Sequence, residues 1–170
     1  MKRPSKRKVF STCLAIFACG LLIRFTEPVD HRLRSAASKA AWTGDVQFLR
    51  ISRILGIDLN KSVPGRGPLI VSAAYGGQDE VIRYLLSNGV DIESKDKHGG
   101  TALSRAAQMR REHTVRMLLE AGADPNVRDR EGGNTPLDLC SISKQREDAN
   151  PEPIAELLSA SGGQRNTTHK

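Results

Sequence analysis

Aromatic residues are scarce in this chain: four Phe, two Tyr and one Trp among 170 residues. So few rings exclude a large aromatic core and suit thin layers of helices packed through Ala, Gly and Leu. Cysteine is scarce too. Cys13 and Cys19 sit in an apolar N-terminal run and Cys140 lies far downstream, so no intradomain disulfide is expected. None of the four histidines, His31, His98, His113 and His169, stands at metal-ligand spacing to another ligand. There is no P-loop and no G-x-S-x-G. Cys140 falls on a small apolar helix position and reads as a buried, inert thiol. His98 on a turn tip and His113 at a helix start read as solvated. The sequence therefore predicts no enzyme, no metal and no cofactor.

The net charge of +7 is unevenly placed. Residues 1–24 carry six cations and no acid, which leaves 20 basic against 19 acidic residues in the remainder. A near-neutral remainder argues against an extended phosphate-binding surface, so no nucleic-acid partner is expected.

The N-terminal cations precede Val9–Ile23, an uncharged run closed by Arg24. A basic stretch followed by an apolar one reads as a secretory n-region and h-region. A buried core helix is the plainer alternative, but the five preceding cations oppose it. Three export readings remain. Residues 1–25 form an uncleaved signal anchor, short for a span but flanked by Lys8 and Arg24, which can snorkel. They are a cleaved signal peptide, with Ala18-Cys19-Gly20 nearest to a cleavage site. Or Ile16–Gly20 acts as a lipobox, lipidated at Cys19. All three put the rest of the chain on the extracytoplasmic side, periplasmic in a bacterium, because the positive end stays inside. Residues 26–34 are read as a polar linker.

Beyond the linker the chain repeats. Gly56, Gly89 and Gly122 step by 33 residues, as do the Ala-Ala pairs at 40–41, 73–74 and 106–107. Ser94–Asn126 shows the unit at its clearest. Asp96 opens a tight turn through Gly99 and Gly100. Thr101 is the expected N-cap of a helix over about Ala102–Met109, with Leu103, Ala106 and Ala107 on one face. A second helix, about His113–Glu120, buries Val115, Leu118 and Leu119. Gly122 stands where a left-handed C′ residue ends it. Neither helix can bury so narrow a face alone. A turn and two helices at a period near 33 mark a stacked array.

DKHGGTALSRAA and LLEAGADPN resemble the ankyrin repeat pattern, and the resemblance covers about Arg34–Gly162. It implies an all-α, ankyrin-type helix-turn-helix solenoid of about four repeats, 35–62, 63–95, 96–128 and 129–162, the outer two degenerate. The repeat domain is placed at 35–163 and a disordered tail at 164–170. In the first repeat Ser52 and Arg53 replace the usual Leu-Leu pair, so its second helix is expected to be rotated or exposed, as suits an end repeat. The turn Lys61–Gly67 lacks its Asp and Thr and is expected to be loose. Arg110 replaces a Gly between helices, which predicts a strained or reshaped turn. Thr135 and Pro136 open the fourth repeat as cap and first helical residue. Lys144–Pro151 is a polar insertion, and Asn166-Thr167-Thr168 is taken as a chance sequon.

The resemblance also implies where a partner binds: the turn tips and the exposed ends of the first helices, which line a concave face. Residue by residue, the helix-end positions are Trp42, Thr43, Tyr75, Gln108, Met109, Ile142 and Ser143. The tips are Lys97, His98, Arg130, Glu131 and Asn134. Trp42, Tyr75, Met109 and Ile142 are expected to form an apolar lane, with Trp42 and Tyr75 as anchors. Packing on neighbouring segments is the plainer role for both. Arg105, Arg110, Arg111 and Arg116 form a possible basic patch, for which a solvated face is the default. The reading is a monomeric adaptor that binds a protein partner. An accessory or inhibitory subunit of an exported or membrane enzyme is the alternative.

Overall fold

The computed structural model describes residues 27–63, 65–142 and 152–166. The N-terminal run, Ser143 with the 144–151 insertion, and residues 167–170 lie outside the described residues. Among the described residues there are eight helices, arranged as four antiparallel pairs. The pairs are α1 (Glu27–Thr43) with α2 (Val46–Ile54), α3 (Leu69–Gly76) with α4 (Asp79–Ser87), α5 (Ala102–Gln108) with α6 (Glu112–Glu120), and α7 (Pro136–Ile142) with α8 (Glu152–Ala160).

The first helix of each pair lies in an inner layer and packs most closely, α1 on α3 on α5 on α7. Small side chains permit this approach: the Ala pairs 40–41, 73–74 and 106–107 are all buried, and Cys140 takes the same place in α7. The outer helices carry the larger apolar residues, including Leu49, Ile82, Leu85, Val115, Leu118 and Leu158. Among the described residues no helix is long and apolar enough to cross a membrane.

The helix ends follow from their sequence. The Thr101 hydroxyl accepts the Ser104 N–H at 3.4 Å. Thr135 accepts the Asp138 N–H at 3.3 Å, and the Asp138 carboxylate accepts the Thr135 N–H in return at 3.0 Å, a reciprocal cap. Gly122 has φ +90°, the left-handed conformation expected at C′. Between the paired helices Gly44 and Gly77 also have positive φ, and Arg110 holds the same place at φ +53°. That is a conformation costly for a residue with a side chain.

Three expectations need correction. The 26–34 linker is helical from Glu27 onward, because Pro28 falls in the first turn, where its missing N–H costs nothing. The second helix of repeat one keeps its register. Ser52 is buried where later repeats have Leu85 and Leu118, and its hydroxyl is satisfied by the Phe48 carbonyl at 2.8 Å. The helix is thus not rotated, but it is exposed, the other half of the expectation, with Ile51 56% and Ile54 83% exposed. The tail is docked over 164–166. The Gln164 N–H reaches Asn126, the Asn166 N–H reaches Asp138, and the Asn166 side chain donates to the Gly133 carbonyl.

Repeats are tied to one another by side chains at a 33-residue step. Asp58, Asp91 and Asp124 each accept the backbone N–H two residues on. That turn aims the residue it holds at the next repeat. Asn60 donates to the Gly89 carbonyl at 3.2 Å and accepts the Asp91 N–H at 3.0 Å. Asn126 does the same with the Gly162 carbonyl and the Gln164 N–H. Glu93 holds only one such bond, to the Asp124 N–H at 2.8 Å, and its Oε2 is buried without a partner. A Glu93→Asn chain should gain the missing donor and lose the stranded oxygen. We expect it to be about 1 kcal/mol more stable, seen as a rise of roughly 4 °C in the thermal midpoint by circular dichroism.

Candidate partner-binding face

The last turns of the inner helices place Trp42, Tyr75, Gln108 and Ile142 at equivalent points of successive repeats. Trp42 is 51% and Tyr75 41% exposed. The position of Trp42 is set by what faces it. Its carbonyl accepts a hydrogen bond from Gln78 Nε2 at 3.2 Å, and a Cβ on Gly76 would collide with that same oxygen. A glycine is therefore needed for the two inner helices to meet here.

Opposite the helix ends stand three turn fingers. The second finger is not loose. Val63 and Gly67 exchange N–H···O bonds of 3.0 and 2.9 Å in a small hairpin, and buried Val63 takes the place of the missing Asp. In the third finger Asp96 Oδ1 accepts the N–H groups of His98 and Gly100, at 2.9 and 3.0 Å. Its Oδ2 takes both Nε and a terminal nitrogen of Arg105 at 2.7 Å. Arg105 in turn donates to Gln108 Oε1 at 2.8 Å. In the fourth finger Asp129 holds the N–H groups of Gly132 and Asn134. The third and fourth fingers are joined by the Arg130 N–H on the His98 carbonyl, at 2.7 Å, and by a hydrogen bond between His98 Nδ1 and the Glu131 carboxylate.

Helix ends and fingers enclose an open groove of about 420 Å³. Trp42, Val71, Ser72 and Tyr75 form its helix wall. Arg66, Lys97, His98 and Glu131 form its finger wall, with the Asp96–Arg105 pair and Gln108 at one end. The groove thus brings together six of the expected residues: Trp42, Tyr75, Lys97, His98, Gln108 and Glu131. The others stand apart. The Thr43 hydroxyl turns back to the Lys39 carbonyl at 3.0 Å. The Asn134 side chain is spent on Asp129. Arg130 is exposed beyond the groove, and Ile142 lies on the last inner helix outside it. Met109 is the half-buried C-cap of α5. The in-register residue is Gln108, so the lane is interrupted by a polar side chain at the third repeat.

Sequence reasoning missed Arg66, Ser72 and Arg105 as groove residues. Ser72 and Arg105 lie three residues before Tyr75 and Gln108, one turn back on the same helix face, a spacing that could have found them. Pro-Gly before Arg66 was the available turn signal.

The four arginines of the expected basic patch do not come together as one. Arg105 faces the fingers and Arg116 pairs with Glu112 at 3.0 Å. The Arg111 stem lies against Gly77, whose added Cβ would stand 2.9 Å from the arginine's Cδ. Cys140 is fully buried. Burial pushes its thiol pKa up, and the opposing pull of Arg110 and Arg165 does not cancel that, which leaves a poor nucleophile.

Two family models match: one for ankyrin repeats in three copies over residues 35–129, and one for ankyrin repeats in many copies over residues 103–158. The chain belongs to the ankyrin repeat family. No curated protein matches it. Ankyrin repeats indicate a protein–protein interaction module, of a family that is typically non-enzymatic.

Two consequences for the ankyrin domain can be measured. Arg105→Ala would leave the nearly buried Asp96 carboxylate without its cation. We expect a loss of about 2 kcal/mol in urea unfolding, larger than for Arg116→Ala at the exposed pair. The second concerns acid. Burial opposes ionisation of Asp129 and Asp138. It is outweighed by the backbone N–H groups and side chains that bond them and by Arg105 and Arg165 respectively, so both carboxyls titrate below the ordinary 3.8. With folded values below unfolded ones, this stability is fully present above the unfolded pKa and drains as pH falls through the folded values. Asp138→Asn should therefore lower the thermal midpoint at neutral pH, and its curve should converge with the parent's as pH falls below 3.8 and through the folded value.

Proposed function

We propose that this ankyrin domain is an adaptor that binds a protein partner through its concave groove and is held on the extracytoplasmic side of a membrane. The observation that carries the binding part is the pair Trp42 and Tyr75. They are large, half-exposed and in register on adjacent repeats, at one wall of a groove whose other wall is formed by finger tips. Aromatic side chains bury much area at low entropic cost, which makes them effective anchors. Membrane presentation is supported by the sequence alone: six cations and no acid in residues 1–24, around the uncharged run Val9–Ile23.

Crosslinked capture from native extract tests the binding part, with the full chain run beside a Trp42→Ala/Tyr75→Ala chain of matched helical content. A partner held by the first should be lost from the second. Equal capture by both would remove the groove as the site. A reporter enzyme that is active only outside the cytoplasm, fused after Lys170, tests presentation. An active fusion is expected, and an inactive one would refute it.

A further inference from the structure

Both carboxylates that line the groove are already engaged: Asp96 by Arg105, and Glu131 by His98. Its exposed cations are not. Among the described residues, exposed Arg66 and Lys97 on the finger wall have no carboxylate partner. Neither does exposed Lys39, which stands one helical turn before Trp42. The charge left for a ligand to meet is therefore positive, and it lies across the groove from two exposed rings.

The groove has two unlike walls, which fits a chain whose side chains alternate. An extended strand sends successive side chains to opposite sides, with those on one side roughly 7 Å apart. One side would lie on Trp42 and Tyr75, and the other would face Arg66 and Lys97. On its helix side the groove runs over the first three repeats, from Trp42 through Tyr75 to Gln108. Two steps between neighbouring inner helices, each about 8–10 Å, set a length of roughly 20 Å. At about 3.3 Å per residue this holds roughly six residues.

We propose that the groove takes a linear segment of a partner protein, about six residues long and extended, in which acidic side chains alternate with bulky apolar ones. This rests on the concave-face reading above and names the class of partner. A nucleic acid fits less well. Residues 25–170 carry 20 basic and 19 acidic side chains, too even a balance for a tracked phosphate chain. A local excess of two or three cations suits a short acidic peptide.

Trp42 is the only Trp, so its emission reports on the groove directly. The full chain in zwitterionic micelles would be titrated with a capped hexapeptide of alternating glutamate and leucine. Controls are the same peptide with lysine for glutamate, and a single-stranded RNA hexamer. We expect a saturable blue shift with the acidic peptide. Its Kd should rise roughly tenfold in an Arg66→Glu/Lys97→Glu chain, since two exposed charge contacts are reversed. That chain should gain binding to the lysine peptide, an exchange that misfolding would not produce. Equal response to the acidic and lysine peptides, indifference to the charge reversal, tighter binding of the RNA, or no shift with any ligand would each overturn the proposal. Such a result with partner capture still lost in the Trp42→Ala/Tyr75→Ala chain removes the acidic class and leaves the face. The same result with capture unaffected removes both.

Discussion

Each of the first three repeats closes on an aspartate that accepts the backbone N–H two residues on, and the side chain held there reaches across to the backbone of the next repeat. At Asn60 and Asn126 that reach is two-handed, one bond given and one taken. These bridges set the spacing along one edge of the stack, and the buried Ala pairs set it along the inner layer. Everything on the concave face depends on this shared pitch. Trp42 lies opposite the fingers of later repeats only because each layer is carried forward by the same step.

The finger wall reaches one geometry by three chemistries. The second finger relies on a backbone bridge and a buried valine, the third on a carboxylate clamped by an arginine nine residues on, and the fourth on a carboxylate wrapped by backbone N–H groups. These choices decide which charges remain for a partner. Where an aspartate holds the finger, its charge is consumed internally. Where a valine does so, nothing offsets the neighbouring arginine. The positive character of the groove is thus a by-product of how its wall is built.

Much of this was legible in the sequence. Gly122 announced a left-handed helix end, because few other residues adopt that conformation cheaply, and Thr101 and Thr135 announced caps by their chemistry. The start of α5 at Ala102 and the end of α6 at Glu120 followed. What was not legible depended on partners distant in sequence. Around Val63 only Pro64-Gly65 signals a turn, and with the usual aspartate absent nothing says that the Val63 backbone closes a hairpin. The lane was placed one residue late at Met109 because the 34-residue step belongs later. The longer turn Asp129–Asn134 follows Gln108 and does not precede it. The docking of Asn166 could not be read from a polar tail, because its partners, Gly133 and Asp138, are supplied only once the fourth finger is folded.

The two ends of the stack are finished differently. At the C-terminal end Gln164 and Asn166 occupy the backbone and side-chain groups that another repeat would have met, so the array is sealed there by hydrogen bonds. At the other end Ile51 and Ile54 stand largely in solvent and Ser52 holds the place of a leucine. A zipper with one fastened end and one open end does not come apart from both sides. Heat or tension would loosen the first helix pair before the others, and unravelling would then travel toward the C-terminus. Trp42 would be the first groove residue to lose its seat.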